Sequence, residues 1–392
     1  MTTVEGTVEP GFEAVREAFE ANFERHGEVG AAFSLYHRGR QVVDLWGGVA
    51  DETTGRTWDE GTLQLVFSTT KGATAVCALL LAQRGELDLD APVSAYWPEF
   101  KEAGKADVPV RWLLSHRVGL PTVDVKLSPA EAMAWEPVVE ALASQRPYWE
   151  PGSAHGYHAL TYGWLVGEVV RRISGRSLGT FFAEQVAAPL GLDFWIGLPA
   201  DQEDRVSRLI EMNIGGGQLP EGFDIDQLPE EARALVRAFT DPDSLSLRAL
   251  MLTDPPISWN SREAHAGEAP AANGICTARS LARMYASLVG DVDGVRLLGP
   301  GTVASATTTQ SEGPDRVLIQ PTRFGLGFML NSQFSPLLAE GSFGHAGAGG
   351  SLGFADPAAE VGFGYVMNKM QQNLAGDPRT VGLVDAVRRS IA

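Results

Sequence analysis

The sequence predicts a mixed α/β chain, an antiparallel sheet flanked by helices with a mostly helical domain inserted into it. Three observations carry this. Strand-like runs lie towards both ends of the chain, at 31–47 and again between Phe324 and Met367. Helical periodicity dominates the stretch between, as far as about residue 200. The 392 residues are too many for one small core. Strands distant in sequence would then complete one sheet. That assigns 1–84 and 270–392 to a discontinuous sheet-bearing domain and 85–269 to a helical insert, with an active site in the crevice between them.

Each element has its own signal. Residues 11–26 place Phe12, Val15, Phe19 and Phe23 at helical spacing. Two β-rich runs around His37-Arg38-Gly39-Arg40 predict a hairpin. Residues 68–84 predict a helix with an apolar stripe of Ala73, Val76, Cys77, Leu80 and Leu81, stopped at Arg84-Gly85. Another helix follows Tyr157, through Leu160, Trp164, Leu165, Val169, Val170 and Ile173, to Gly175. Residues 200–272 are polar and proline-bearing, and read as long loops with short helices. A helix then spans Arg279 to Leu288. Strands follow at Phe324 to Asn331, Gly341 to Ala346, Ser351 to Ala355 and Val361 to Met367. Asp356-Pro357 turns between the last two, and a helix at 378–391 closes the sequence.

Composition bounds the function. A 44% hydrophobic and 20% charged chain is an ordinary soluble globular protein. Its net charge of −18 argues against nucleic acid as a partner. No apolar stretch reaches membrane-span length, and MTTVEGTVEPGFEAV lacks the basic and apolar regions of a signal peptide, so a cytoplasmic location is expected. Cys77 and Cys276 are too few for a metal site or a disulfide scaffold, and Cys77 reads as a small buried residue. His155 and His158 lack a carboxylate at metal-ligand spacing, so neither metal nor cofactor is expected.

Three short signals carry chemistry. The first is Ser68-Thr69-Thr70-Lys71 at a helix start. Side chains at i and i+3 share one face, so the hydroxyl can hand its proton to the amine. A partly buried lysine loses preference for its charged form, and a helix N-terminus favours a developing alkoxide. The other reading is that Ser68 caps the helix and Lys71 is a surface residue. The second signal is Trp149-Glu150-Pro151-Gly152-Ser153 followed by Tyr157, whose phenol can share a proton with a nearby cation or can simply pack. The third is Gly344-His345-Ala346-Gly347-Ala348-Gly349-Gly350. Side chains this small let a ligand approach backbone N–H groups, as an oxyanion hole requires, although an ordinary glycine-rich loop has the same composition.

Taken together, Ser68-x-x-Lys71, Tyr157 and His345-Ala346-Gly347 resemble, in order and spacing, the class C β-lactamase and penicillin-binding-protein superfamily. Leu113-Leu114-Ser115-His116-Arg117-Val118-Gly119-Leu120-Pro121 resembles its LLxHxSGLP loop. Asn273 to Ala282 resembles its G-x-x-x-T-A-x-D-L-A segment. The resemblance runs from about residue 12 onward. Two departures move the expectation from lactam to ester. His345-Ala346-Gly347 stands where Lys-Thr-Gly or His-Thr-Gly is usual, and Tyr157-His158-Ala159 where Tyr-x-Asn is common. Both point to the family VIII carboxylesterases, which share this β-lactamase-like fold.

The resemblance implies roles. Ser68 attacks the acyl carbon, Lys71 and Tyr157 manage its proton, and the N–H groups of Ser68 and Ala348 form the oxyanion hole. His345 would hydrogen-bond Tyr157 or the substrate, a small-molecule ester, with Ala346 and Gly347 beside it. Trp135, Trp149 and Trp259, read as loop residues, are expected to line an apolar acyl or alcohol pocket. A β-lactamase, a D-amino peptidase or amidase, an acyltransferase and a catalytically dead binding protein are the rival readings. Gly349-Gly350-Ser351-Leu352-Gly353 matches the nucleophile elbow G-x-S-x-G, but that motif needs a helix after it and a later histidine. Here a strand follows and the last histidine is His345, so Ser351 is expected to be structural.

Overall fold

A computed structural model describes residues 2–212 and 225–392. Its main sheet is antiparallel, in the spatial order Val4–Val8, Arg40–Asp51, Gly30–His37, Val361–Met367, Leu352–Asp356, Phe343–Ala346, Met329–Leu330, Pro321–Phe324 and Ser311–Pro314, with Arg56–Thr57 paired to Arg40–Asp51. The predicted hairpin and the three last predicted strands are all in it. At its centre the two ends of the sequence meet: Val361 pairs with His37 and Met367 with Ala31.

Alternation of side chains dictates the layering. Phe33, Leu35, Val43, Leu45, Phe363 and Tyr365 face the helices Glu13–Arg25 and Pro378–Ser390, which bring Val15, Phe19, Leu383 and Val387 to one core. The opposite face receives the helix Ala278–Val289. Its approach depends on two strand glycines. A Cβ on Gly362 would lie 2.4 Å from the Ala282 carbonyl oxygen, and one on Gly364 would lie 2.5 Å from that of Ala278. Beyond that helix lies the helical layer, where Thr70–Gln83 packs against Thr161–Ser174.

Several boundaries differ from expectation. Phe324 to Asn331 is not one strand but two short ones. The break falls at Gly325 and Gly327, where φ at Gly327 is +84° and a Cβ would lie 2.4 Å from that of Ala75. The helix expected from residue 68 begins as a 3₁₀ turn, Phe67–Thr69, and becomes α at Thr70. Thr70 to Leu81 is buried on every side, so the predicted stripe is one face of a helix that has no wet face. A small second sheet joins Gln64–Leu65, Gly274–Cys276 and Phe194–Ile196 and was not predicted. Within 200–272, residues 213–224 lie outside the described residues. The described remainder consists of short helices such as Glu230–Thr240 and Leu245–Leu250 joined by loops. Among the described residues no helix is long and apolar enough to cross a membrane.

Candidate active site

Thr62 to Leu81 is buried except at Ser68, and Ser342 to Asp356 is buried except at Ala348. These two residues surface on the wall of the same cavity, of about 360 Å³. The backbone presents Ser68 by a strained turn. Phe67, just before it, has φ of +44°, a left-handed conformation that is unfavourable for a bulky side chain. Its ring, packed edge-to-face on Trp259 at 5.5 Å, holds it there. No side-chain capping bond is made at the start of either the 3₁₀ turn or the α-helix, so Ser68 is not serving as a cap.

The partner of Ser68 is Lys71, with Nζ 3.0 Å from Oγ. Nζ also donates to the carbonyls of Ala159 at 2.7 Å and Ala271 at 3.0 Å. Among the described residues no carboxylate neutralises it, and full burial pushes its pKa well below the ordinary lysine value. In the neutral amine the two carbonyls can take its two N–H groups, which leaves the lone pair facing Ser68. Nζ also lies 4.7 Å from the centroid of the Tyr157 ring.

Tyr157 is buried, and desolvation raises its pKa, with the Ser68 hydroxyl within hydrogen-bonding reach acting in the opposite sense. The phenol therefore stays protonated at neutral pH. Asp315 places the residue: its Oδ1 accepts the Tyr157 N–H at 3.0 Å, together with those of Val317 and Leu318 at 2.8 Å. The Tyr157 ring stacks on Phe324, nearly parallel at 9°.

Four buried histidines surround this pair. His158 accepts from Leu120 N–H at 2.9 Å, and its own N–H donates to His116 Nδ1 at 3.2 Å. His155 meets Thr322 at 2.9 Å. His345 stacks on Tyr157, ring centroids 6.0 Å apart, and its Nδ1 lies 2.7 Å from the Ala346 carbonyl oxygen. Burial lowers the His345 pKa to about 3, with Lys71 acting in the same sense whenever it is protonated, and burial lowers that of His158 to about 3.

These shifts fix a pH dependence of stability. Unfolded, each ring binds a proton near 6.5; folded, it does so only near 3. Their contribution is complete above 6.5 and is lost as pH falls towards 3, at a limiting slope of about 1.4 kcal/mol per pH unit for each group. Urea denaturation at a series of pH values is expected to show stability collapsing between pH 6 and about 4, with a shallower slope in His158→Gln. An acid slope unchanged in that variant would remove His158 from the account.

The other sequence candidates separate. Trp259 lines the cavity. Trp135 does not: its Nε1 donates to Glu168 at 2.8 Å and its ring covers Gly167 in the helical layer. Trp149 packs edge-on to His158 and donates to the Ala154 carbonyl. Ala346 and Gly347 are buried beside Ala348 and face a separate small hollow. Ser351 is buried, its Oγ donating to the Val66 carbonyl at 2.8 Å and lying 3.1 Å from Thr69 Oγ1. Asp315 and Phe324 had no local signal. His116 was visible only as part of the segment Leu113 to Pro121.

Comparison with known proteins gives a consistent neighbourhood. The sequence profile of the Beta-lactamase family matches residues 15–386. The chain is 33% identical over 396 residues to the Esterase/beta-lactamase LipL of Mycobacterium tuberculosis, covering 99% of this chain and 88% of that one. The crystal structure of a family VIII carboxylesterase superposes with a TM-score of 0.87 at 38% identity, covering 99% of this chain and all of the other. EstA from Arthrobacter nitroguajacolicus Rue61a superposes with a TM-score of 0.84 at 34% identity, covering 99% and 98%.

Proposed function

We propose, for a chain that belongs to the beta-lactamase family, a two-step ester hydrolysis carried by Ser68, Lys71, Tyr157 and Ala348. The chain is an esterase-type serine hydrolase, a carboxylesterase. What supports the assignment of roles is one observation: Ser68 and Ala348 emerge from buried segments onto one apolar cavity, with an uncompensated amine 3.0 Å behind the hydroxyl.

The neutral Lys71 amine takes the hydroxyl proton as Ser68 Oγ bonds to the ester carbonyl carbon. The carbonyl oxygen becomes an oxyanion between the N–H groups of Ser68 and Ala348, each donor worth about 3 kcal/mol. As the carbonyl re-forms, the C–O bond to the alcohol breaks. Tyr157 gives that oxygen its proton and recovers one from the Lys71 ammonium. Water then adds to the acyl-enzyme by the same route in reverse, releasing the acid and regenerating Ser68. Lys71 is the acceptor in this scheme because burial drives it towards neutrality while it keeps the Tyr157 phenol protonated.

The cavity sets the substrate. Met212, Met251, Met329 and Met370 with Ile257 and Trp259 make an apolar wall, and methionine adapts to varied chain shapes. Met212, Leu250 and Leu374 carry the surface on into a second hollow bordered by Leu235, Phe239 and Phe334. No lysine or arginine is among the described lining residues, and the single charge is Glu211. A β-lactam antibiotic would bring its carboxylate into this wall without a cation to meet it. We place the cavity where segments 1–84 and 270–392 meet the insert 85–269.

A series of p-nitrophenyl esters and a chromogenic cephalosporin test this. Butyrate to octanoate esters are expected to turn over with kcat/KM at least about 100-fold above the cephalosporin, the discrimination that one unpaired buried charge readily supplies. A cephalosporin hydrolysed as fast as the esters would overturn the substrate assignment.

A further inference from the structure

Ala348 lies in a loop that cannot hold its own shape. Gly349 and Gly350 have φ of +86° and +134°, and glycine loses more freedom than any other residue on being fixed. An oxyanion donor contributes fully only if it is aimed before the charge develops. Ala348 is flanked by committed amides: Gly347 N–H donates to the Ser351 carbonyl at 2.7 Å and Gly349 N–H to that of Asn373 at 3.1 Å. The Gly349 carbonyl in turn accepts from Gln371 N–H at 3.0 Å and from Arg379 Nη2.

Arg379 and Glu28 have side chains of 0% exposure, and that of Asp377 is 3%. The guanidinium is fully engaged. Nε and Nη2 donate to the Asp377 carboxylate at 2.9 and 2.8 Å, and Nη1 to Glu28 at 3.0 Å and the Lys369 carbonyl at 2.9 Å. The remaining donor is the one on Gly349. Asp377 also accepts from Asn373 Nδ2 at 2.7 Å, so the same cluster grips the residue that takes the Gly349 N–H. A Cβ on Gly350 would lie 2.2 Å from Arg379 Nη2. None of Glu28, Asp377 and Arg379 lines the cavity. Apolar side chains can join elements as stably as a buried ion cluster does. What a guanidinium adds is a rigid fork that fixes direction.

We propose that Arg379, clamped by Glu28 and Asp377, is a positioning residue that holds loop 347–350 so that the Ala348 N–H meets the developing oxyanion. The proposal rests on the roles given above to Ser68 and Ala348.

The test uses the full chain and Arg379→Lys, which keeps the charge and loses the fork. The readouts are kcat and KM for p-nitrophenyl butyrate, inhibition by an alkyl boronic acid that forms a tetrahedral anionic adduct on a nucleophilic serine, and a thermal melt. Losing a whole oxyanion donor lowers kcat by about 100-fold or more, so a misaimed one is expected to lower it by about 30-fold. KM should move less than about two-fold, and boronate affinity should fall in parallel with kcat. A merely structural role would lower the melting temperature and leave both quantities unmoved in the folded protein. If the lysine variant does not fold, Asp377→Asn, which keeps a competent helix cap, carries the same test with an expected loss of about 10-fold. Either variant, folded, with kcat and boronate affinity within about two-fold of wild type would overturn the proposal. A wild-type chain inert to both ester and boronate would instead bring down the assignment of Ser68, and the proposal with it.

Discussion

Ser68→Ala is expected to lower kcat for a p-nitrophenyl ester by about 10⁴-fold or more, leaving what binding and the oxyanion donors supply alone. The hydroxyl is only partly buried and caps nothing, so the melting temperature should hardly move. Labelling by a fluorophosphonate, followed by intact mass, should disappear with the activity. Ser351→Ala is expected to behave in the opposite way. Its hydroxyl is spent on the Val66 carbonyl and Thr69, at the two ends of the turn that carries Ser68. Removing it should cost about 1–2 kcal/mol of stability and leave most of kcat. A folded Ser351→Ala chain without activity would transfer the nucleophile to Ser351.

Lys71→Met should lower kcat by about 10³-fold, within the range general-base catalysis supplies. It tests the base rather than the nucleophile, so fluorophosphonate labelling should slow and not vanish. The pH profile gives the second arm. Only the neutral amine accepts a proton, and burial lowers its pKa well below the ordinary value. The wild-type rate is therefore flat above the lowered pKa and falls as pH drops through it, and Lys71→Met should lose that acid limb. Stability should change by no more than about 2 kcal/mol. The lost bonds to the Ala159 and Ala271 carbonyls work against relief of a buried amine. A methionine variant keeping more than about a tenth of kcat would make Tyr157 the base.

Much of this was legible in the sequence where periodicity is long. The hairpin, the helix after Tyr157 and the last three strands all repeat a pattern over enough residues to be read. Gln64–Leu65, Phe194–Ile196 and Gly274–Cys276 are too short to show any period, and their pairing is decided by tertiary packing. Val4–Val8 and Ser311–Pro314 lie at the two ends of the sheet path and carry too few apolar residues to mark a buried face. At the candidate site, Ser68, Lys71 and Tyr157 could be picked out together because motif spacing survives in one dimension, and the structure brings the three side chains within reach of one another. Asp315 and Arg379 were not, because each acts on a backbone group far away in sequence, Asp315 on the Tyr157 N–H and Arg379 on the Gly349 carbonyl. Trp135 and Trp149 were read as wall residues from loop membership alone, which says nothing about which way a loop faces.

The pairing of Val361–Met367 with Gly30–His37 has a consequence in time. Ribosomes add about 5–20 residues per second, so the hairpin and the helix Thr70–Gln83 are made well before the strands that complete the sheet. Until those strands arrive, the Gly30–His37 edge is an open template for wrong partners, and closing so long a loop makes the correct pairing slow. The loop that bears Ala348 joins two of the late strands. On the proposed assignment, a growing chain carries Ser68 well before the segment that bears Ala348, so hydrolytic power would arrive in one late step.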